Sequence, residues 1–332
     1  MSKTILITGA GGYLGSLLAN ALATSVSEVR LILADVTPPA APSNAQAIAI
    51  KTDLTIPKEA HTLFQTEFGV PDTIYCLHGI MSRGSEDNFD FGLKVNVDSV
   101  RFLLQAAREH GSRATAPIKF IFASSLAVYG GSLPEIITPS TIATPQGAYG
   151  MSKLASELFI NEFSRRGFID GRILRLPTIV VRAGAPAAAT SAFMSSIIRE
   201  PLRGLESVCP IGNSLDSPEL DLSVWVASPE TTIKNLIIAK DIPADRFASH
   251  SRVVYLPGFT ATIREELEAL ETVGGKEALD LVKFKDDPVD RRLVLSWPAH
   301  FDLSYPLSLG FIQDVGGMLP IVQKLKKDME HS

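Results

Sequence analysis

The chain has 332 residues, of which 45% are hydrophobic and 20% are charged, enough apolar material for one large core and a smaller one. A formal net charge of -5 and the lack of a long basic run exclude a broad nucleic-acid-binding surface. The cysteines Cys76 and Cys209 suggest no disulfide framework, and the histidines show no metal-binding spacing. Neither a signal peptide nor an apolar stretch of about 18 residues is present. The sequence predicts a cytoplasmic protein without nucleic-acid, membrane or metal partners.

Short apolar runs alternate with segments of helical periodicity through the first half of the chain. The runs predict strands at 4–8, 29–34, 47–50, 72–77, 118–123 and 173–176. The periodic segments predict helices at 14–23, 58–68, 89–110 and 149–166. Because the strands are mostly apolar and do not alternate regularly with polar residues, both faces of the sheet should be covered by helices. This alternation is typical of an α/β fold with a doubly wound parallel sheet.

After about residue 177 the alternation of strands and helices becomes irregular and the sequence becomes proline-rich. Helical periodicity returns at 191–199, 230–239, 262–273 and 319–330. In open α/β sheets ligands bind at the carboxyl ends of the strands, so this half is predicted to cap that edge. We expect a cofactor-binding domain over 1–176 and a smaller, mainly substrate-binding α/β cap over 177–332, with some elements returning to the first domain.

A glycine-rich turn joins the first strand to the first helix. Gly9, Gly12 and Gly15 have the spacing G-x-x-G-x-x-G, and Tyr13 and Leu14 complete the segment. A backbone without side chains lets a pyrophosphate approach the helix N-terminus, where free N–H groups and the helix dipole favour an anion. These five residues are therefore predicted to bind a dinucleotide.

Acidic residues end the next two predicted strands. Asp35 lies twenty residues beyond Gly15, where a carboxylate accepts hydrogen bonds from ribose hydroxyls and repels a 2′-phosphate. No Arg or Lys follows it in 36–39, so NAD is favoured over NADP. Asp53 and Leu54 suit the adenine edge. A solvated turn aspartate is the alternative at both acidic positions.

A tyrosine and a lysine open the helix predicted at 149–166. The spacing of four between Tyr149 and Lys153 places both side chains on one helical face. An ammonium near a phenol favours the phenolate, which can exchange a proton with a substrate hydroxyl. Ser124 and Ser125 end the preceding strand at the same sheet edge, where a hydroxyl can stabilise charge on the reacting oxygen. Together these residues predict an oxidoreductase site.

At these motifs the chain resembles the extended short-chain dehydrogenase/reductases, which include nucleotide-sugar epimerases and dehydratases, from Thr4 to about Leu325. The resemblance implies a Rossmann-type fold, an NAD cofactor and an active serine directly before x-x-Val-Tyr-Gly, which is Ser125. It also implies that Tyr149 is the acid/base and that Lys153 holds the nicotinamide ribose as well. The remaining cofactor contacts that it implies are Leu77, Gly79, Ser124, Pro177, Thr178 and Ile179. It gives His78 no catalytic role.

A narrower resemblance covers residues 164–212 and is to the D-erythronate dehydrogenase group, which oxidises a four-carbon sugar acid to its 2-oxo form. A sugar acid needs a cation for its carboxylate, preferably a bidentate guanidinium. Arg182, six residues after the sixth strand, is the first candidate, and a structural arginine is the alternative. Further substrate-binding candidates are Ser82, Arg83, Ser125, Tyr149, Thr190 and Ser191.

Three other functions share this fold. A nucleotide-sugar epimerase would keep the same catalytic residues and hold NAD tightly. A 4,6-dehydratase normally carries an Asp-Glu pair where this chain has Leu126 and Ala127, and an NAD(P)-sensing protein typically lacks the Tyr/Lys pair. We therefore predict oxidation of a small sugar acid, or the reverse reduction of a small keto compound. Related proteins often form homodimers through the helices near 93–108 and 149–165, so a homodimer is expected.

Overall fold

A computed structural model describes residues 3–26, 28–112, 116–184 and 190–331 of the protein. Its strands, in chain order, are β1 (Lys3–Thr8), β2 (Val29–Asp35), β3 (Gln46–Lys51), β4 (Thr73–Cys76), β5 (Lys119–Ser125), β6 (Asp170–Leu176), β7 (Thr178–Ile179), β8 (Ser207–Cys209), β9 (Ser223–Ala227), β10 (Val253–Tyr255), β11 (Phe259–Thr262) and β12 (Val282–Phe284). Its α-helices are α1 (Tyr13–Ser25), α2 (Pro57–Thr62), α3 (Ser82–Asp87), α4 (Phe89–Leu93), α5 (Ser99–Gly111), α6 (Ala148–Arg165), α7 (Phe193–Leu202), α8 (Pro229–Asp241), α9 (Ile263–Leu279), α10 (Pro288–Leu295), α11 (Ser304–Ser308) and α12 (Met318–Glu330).

Seven parallel strands form the central sheet in the order β10-β6-β5-β4-β1-β2-β3. Helices α1 and α8 pack on one face of the sheet, and α2, α5 and α6 pack on the other. The predicted doubly wound parallel sheet is confirmed. The strand order reverses between β1 and β4, so a crevice opens at their carboxyl ends, where this class of sheet binds ligands.

The second half of the chain forms a smaller unit beside that edge. Strands β11, β9 and β7 make a three-stranded sheet, β8 and β12 form a parallel pair, and α7, α9 and α12 surround a second apolar core. The proposed boundary at 176/177 falls between β6 and β7, and β10 returns to pair with β6 of the central sheet. No helix in the described part of the chain is both long and apolar enough to cross a membrane.

The predicted helix at 89–110 is interrupted in the structure. Helix α4 passes into α5 through a π-helical turn at Lys94–Asp98. In this turn Asn96 accepts a hydrogen bond from Ile80 N–H at 2.9 Å and donates to Ile80 O at 3.0 Å. The turn thus fixes the loop after β4, which passes the crevice. The periodicity of apolar residues cannot show such a side-chain contact, because it reports only which face is buried.

Candidate active site

The glycine turn lies at the mouth of the crevice between β1 and β4. Gly9 has a φ of +73°, and a Cβ atom there would lie 2.6 Å from the backbone N of His78. A Cβ atom at Gly15 would overlap Gly9 O, and Gly12 N–H donates to that same oxygen at 3.1 Å. Only glycine fits the first and third positions, so the backbone at the start of α1 is left open to an anion.

The first acidic candidate stands beside this turn. The Oδ2 atom of Asp35 accepts a hydrogen bond from Gly11 N–H at 3.0 Å, so the carboxylate borders the glycine segment. Asp53 is partly engaged in its own loop, because its Oδ1 atom accepts from Thr55 N–H at 2.9 Å and from Thr55 Oγ1 at 2.7 Å. The structure brings the predicted adenosine-side residues into one cavity, lined by Gly9, Gly12, Asp35, Asp53, Leu54, Leu77 and Gly79. An open turn faces a carboxylate, and no described lysine or arginine lines this cavity, which fits NAD.

The loop after β4 separates this cavity from a second one and contributes Leu77 and Gly79 to both. Between these two residues, His78 is half-buried, with its Nδ1 atom 2.7 Å from Thr8 Oγ1 and its Nε2 atom 2.7 Å from Ser99 Oγ. Burial lowers the pKa of His78 to about 3, and the positive charge of Lys153 acts in the same direction. The imidazole is therefore neutral and held between two hydroxyls.

The second cavity collects the candidate catalytic residues. Ser125, Tyr149 and Lys153 all line it, and a Cβ atom at Gly150 would overlap Ala127 O, so the start of α6 packs tightly against the segment after Ser125. The Lys153 side chain is 4% exposed and its Nζ atom donates to the backbone O of Ala123 at 2.8 Å. The same Nζ atom lies 5.6 Å from the centre of the Tyr149 ring.

Ser125 is oriented by its own chain. Its Oγ atom accepts a hydrogen bond from Ala127 N–H at 3.1 Å, which leaves its O–H hydrogen to donate to a bound oxygen. Ser124 points elsewhere, because its hydroxyl donates to Glu157 Oε1 at 2.5 Å. Glu157 in turn accepts two hydrogen bonds from Arg175, at 2.9 and 2.6 Å. Of the two serines, only Ser125 has its hydroxyl available to the cavity.

This buried ion pair was missed by the sequence reasoning. Glu157 follows Lys153 by one helical turn, and Arg175 lies in β6 and also donates to the hydroxyl of Tyr129 at 2.7 Å. The pair ties α6 to β6 directly behind the catalytic candidates. A signal existed in the arginine at position 175, the only charged residue of the strand predicted at 173–176, because a buried charge needs a partner.

Some of the substrate-binding candidates line this second cavity and others do not. Arg182 lines the catalytic cavity together with Ser82 and Ser191. Arg83 is 64% exposed, forms an ion pair with Asp87 at 3.1 Å and does not line this cavity. The side chain of Thr190 falls outside the described residues. The remaining cofactor-side candidates that line the same cavity are Leu14, Ser124, Pro177, Thr178 and Ile179.

Arg182 is a half-buried cation without an acidic partner among the described residues. Burial lowers the pKa of its guanidinium from the ordinary value, while the phenols of Tyr149 and Tyr13 raise it and the charge of Arg199 lowers it further. Arg182 therefore lies within electrostatic reach of Tyr149, the candidate catalytic tyrosine. A desolvated guanidinium next to the reacting position favours binding of an anion.

The cavity also has apolar walls that the sequence did not predict. Met81 comes from the loop after β4, Leu126 follows Ser125, and Trp297 comes from the cap more than one hundred positions beyond Arg182. No local motif marks Trp297, and only the packing of the cap on the central sheet brings it to the site.

The chain is similar to proteins of known family. Residues 5–217 match the NAD dependent epimerase/dehydratase family. Two similar proteins are named D-erythronate dehydrogenase. The one from Haemophilus influenzae is 38% identical, and the match covers 98% of this chain and 99% of that protein. The one from Cupriavidus necator is 37% identical, and the match covers 93% of this chain and 94% of that protein. A crystal structure described as the nucleoside-diphosphate-sugar epimerase from Agrobacterium tumefaciens is 33% identical, covers 100% of this chain and 96% of that one, and superposes with a TM-score of 0.89.

The fold and the crevice thus define a Rossmann-type, NAD-dependent oxidoreductase that acts on CH–OH groups. The chain belongs to the NAD dependent epimerase/dehydratase family. NAD is its cofactor, as the sequence predicted.

Proposed function

We propose that this protein is a dehydrogenase of a small sugar acid related to D-erythronate, which it oxidises at a secondary hydroxyl to the 2-oxo acid. The observation that carries the proposal is that Arg182 shares one cavity with Ser125, Tyr149 and Lys153. The names of the two relatives that match nearly the whole chain support the same substrate class.

Electrostatics favour an acid over a neutral substrate. Lys153 and Arg182 both carry positive charge into a cavity whose lining contains no Asp or Glu among the described residues. A carboxylate can accept two parallel hydrogen bonds from the Arg182 guanidinium, which would fix the direction of the carbon chain. Anchoring one end of the molecule positions its hydroxyl for reaction at the other residues.

Proton transfer is assigned to the residues of this chain. We assign Tyr149 the role of accepting the proton of the substrate hydroxyl at its phenolate oxygen, with Lys153 stabilising the negative form of that oxygen. The free O–H of Ser125 donates to the same substrate oxygen and holds it in place. When bound, NAD supplies the hydride acceptor. The cavity walls from Met81, Leu126 and Trp297 limit the access of water to these groups.

The test is a comparison of substrates and of arginine variants. Purified protein is assayed by NADH absorbance with C4–C6 aldonic acids, including D-erythronate, with the neutral polyols of the same length, and with NAD or NADP. We expect NAD-dependent turnover of an acid, and an increase in its KM of about a hundredfold in Arg182→Met. Arg83→Met separates the two arginine candidates, because a larger effect there would move the carboxylate anchor to Arg83. Turnover of neutral polyols alone would contradict the proposal.

The Agrobacterium tumefaciens structure supports one alternative, nucleotide-sugar epimerisation. An epimerase returns the hydride to its substrate, so it produces no net NADH and retains NAD through purification. Mass measurement of cofactor released by denaturation, together with an epimerisation assay on UDP-sugars, separates the two functions. Copurified NAD with epimerised UDP-sugar and no NADH would favour the alternative.

We also propose that the protein forms a homodimer through α5 and α6. Support comes from α6, where Leu158 is 65% exposed and Phe159 is 37% exposed in the isolated chain. Apolar side chains at such positions commonly pack against a partner. Light scattering should give twice the chain mass, and Leu158→Glu should reduce it to one chain. The cytoplasmic location expected from the sequence stays a prediction.

A further inference from the structure

Among the described residues, side chains supply the hydrogen-bond partners of the backbone of Arg182 and Ala183. Arg182 N–H donates to Ser195 Oγ at 3.0 Å, and Arg199 Nη1 donates to Arg182 O at 2.7 Å. Ala183 N–H donates to the hydroxyl of Tyr13 at 3.3 Å, and Arg203 Nη2 donates to Ala183 O at 3.0 Å. The two backbone N–H groups and the two backbone carbonyls of these residues therefore each have a side-chain partner.

Such a set of partners is unusual for a connecting segment. Loop backbone is ordinarily satisfied by water or by other backbone groups, and most side-chain bonds to it come from nearby residues. Here the partners come from the start of α1, from α7 and from the residue that directly follows α7. The backbone of Arg182 is thus held by α7, and that of the next residue, Ala183, by Tyr13 and Arg203.

Helix α7 contributes a row of partners at helical spacing. The partners Ser195, Arg199 and Arg203 are spaced four residues apart. They therefore lie on one side of α7, with Arg203 at the first position after the helix. Ser195 and Arg199 are each 2% exposed. A whole face of this helix is occupied with holding the segment that carries Arg182.

The burial of Arg199 is costly. Its Nη2 atom donates to Glu200 Oε1 at 2.5 Å, but its buried Nε atom has no hydrogen-bond partner among the described residues. A buried guanidinium with incomplete hydrogen bonding destabilises a fold relative to an apolar side chain of similar size. The cost therefore points to a role for Arg199 beyond stability.

The fourth partner belongs to the glycine turn. Tyr13 is the first residue of α1, directly after Gly12, and a Cβ atom at Gly184 would lie 3.5 Å from its ring. Burial raises the pKa of the Tyr13 phenol, so its hydroxyl stays protonated while its oxygen accepts from Ala183. The residue that follows the cofactor turn thus also fixes the substrate side.

We propose that Ser195, Arg199, Arg203 and Tyr13 are positioning residues that hold Arg182 ready for the carboxylate of the substrate. The inference rests on the proposed function, because it assigns a purpose to the guanidinium of Arg182. An arginine fixed before binding loses little side-chain and loop freedom when the anion arrives, which strengthens binding without new contacts. These residues act through Arg182 and touch neither the hydride nor the proton.

A matched pair of serine variants tests the proposal. Ser195→Ala removes the acceptor for Arg182 N–H, whereas Ser196→Ala removes a hydroxyl that donates only within its own helix, to Phe193 O. In Ser195→Ala we expect the KM for the sugar acid to rise about tenfold, with kcat and the KM for NAD within about twofold of wild type. In Ser196→Ala all three constants should stay at the wild-type values.

Substitutions of exposed arginines provide a second test, in which no buried side chain is changed. Arg203 is exposed at the end of α7, so Arg203→Met should fold normally and raise the KM for the acid about threefold. Its control is Arg246→Met, since Arg246 is also exposed and donates to a backbone carbonyl, Ser308 O, outside the cavity. Thermal melting of all the variants monitors folding.

A double-mutant cycle separates positioning from general stability. If Ser195 acts through Arg182, then Ser195→Ala should add no further increase in KM once Arg182→Met is present. Additive increases, or a wild-type KM in both Ser195→Ala and Arg203→Met, would overturn the positioning role while the dehydrogenase assignment stands. A wild-type protein that oxidises no aldonic acid would instead overturn the proposed function.

Discussion

Lys153 Nζ lies 5.6 Å from the centre of the Tyr149 ring while it donates to the backbone O of Ala123, so the ammonium is held on β5 and not on an acidic side chain. A lysine paired with a carboxylate would present a neutralised charge to the tyrosine. Here the full positive charge acts on the cavity, in surroundings from which most water is excluded. The geometry favours a tyrosine that can give and take a proton.

Replacing Tyr149 by Phe tests this directly. The change removes one oxygen and leaves the ring packing, so we expect kcat to fall by about 10²- to 10⁴-fold with NAD binding nearly unchanged. Steady-state kinetics and a fluorescence titration with NADH measure the two effects. Tyr305→Phe is the control, because its hydroxyl accepts from Ala248 N–H away from the cavity. A Tyr149→Phe enzyme with wild-type kcat would remove this residue from the mechanism.

The choice of cofactor should depend on Asp35. Its carboxylate borders the glycine turn, whereas that of Asp53 is engaged with Thr55. Asp35→Asn removes the charge that repels a 2′-phosphate and weakens the bond to the ribose, so the ratio of kcat/KM for NAD over NADP should fall about tenfold or more. Asp53→Asn should leave that ratio near the wild-type value. A larger change in Asp53→Asn than in Asp35→Asn would reverse the assignment.

The sequence was informative where a function depends on neighbouring positions. The spacing of Gly9 to Gly15 and of Tyr149 to Lys153 is local, so each motif predicts its own geometry from one short stretch of backbone. The alternation of strands and helices likewise predicted the parallel sheet, because that pattern reflects burial on both faces.

Contacts between residues distant in the chain could not be predicted from such local patterns. The partner of Glu157 is Arg175 on another element, and Trp297 reaches the cavity only after the cap has folded onto the sheet. The backbone of Ala183, next to Arg182, is fixed by residues as distant as Tyr13 and Arg203. A single sequence gives the residue types at these positions but not which of them meet.

His78 should make stability depend on acidity. Because burial holds its folded pKa at about 3, below the usual value of about 6.5, the unfolded chain binds this proton more tightly. Its contribution to stability is therefore full above about pH 6.5 and is lost as the pH falls towards 3, by at most about 1.4 kcal/mol per pH unit. Urea unfolding between pH 4.5 and 7.5 should show a smaller dependence in His78→Gln. The exposed His250 provides the control, and equal slopes in wild type and His78→Gln would contradict the prediction.

Glu266 should make the protein less stable as the pH rises, the opposite of the effect of His78. This residue of α9 is fully buried in the second core, and neither of its carboxylate oxygens has a hydrogen-bond partner among the described residues. Burial raises its pKa well above the usual range, since no cation among the described residues offsets the loss of water. The folded protein therefore holds a proton on Glu266 at pH values where the unfolded chain has released it.

The sign of the effect follows from that difference in proton binding. The contribution of protonated Glu266 is full below its unfolded pKa of about 4.3 and decreases as the pH rises towards the folded pKa, by at most about 1.4 kcal/mol per pH unit. Glu266→Gln cannot ionise, so its free energy of unfolding should exceed that of wild type by an amount that grows between pH 5 and 8. Urea unfolding at each pH measures the gap. Glu268→Gln, exposed on the same helix, should show no such growth, and a gap in Glu266→Gln that stays constant with pH would mean that this carboxyl does not titrate in the core.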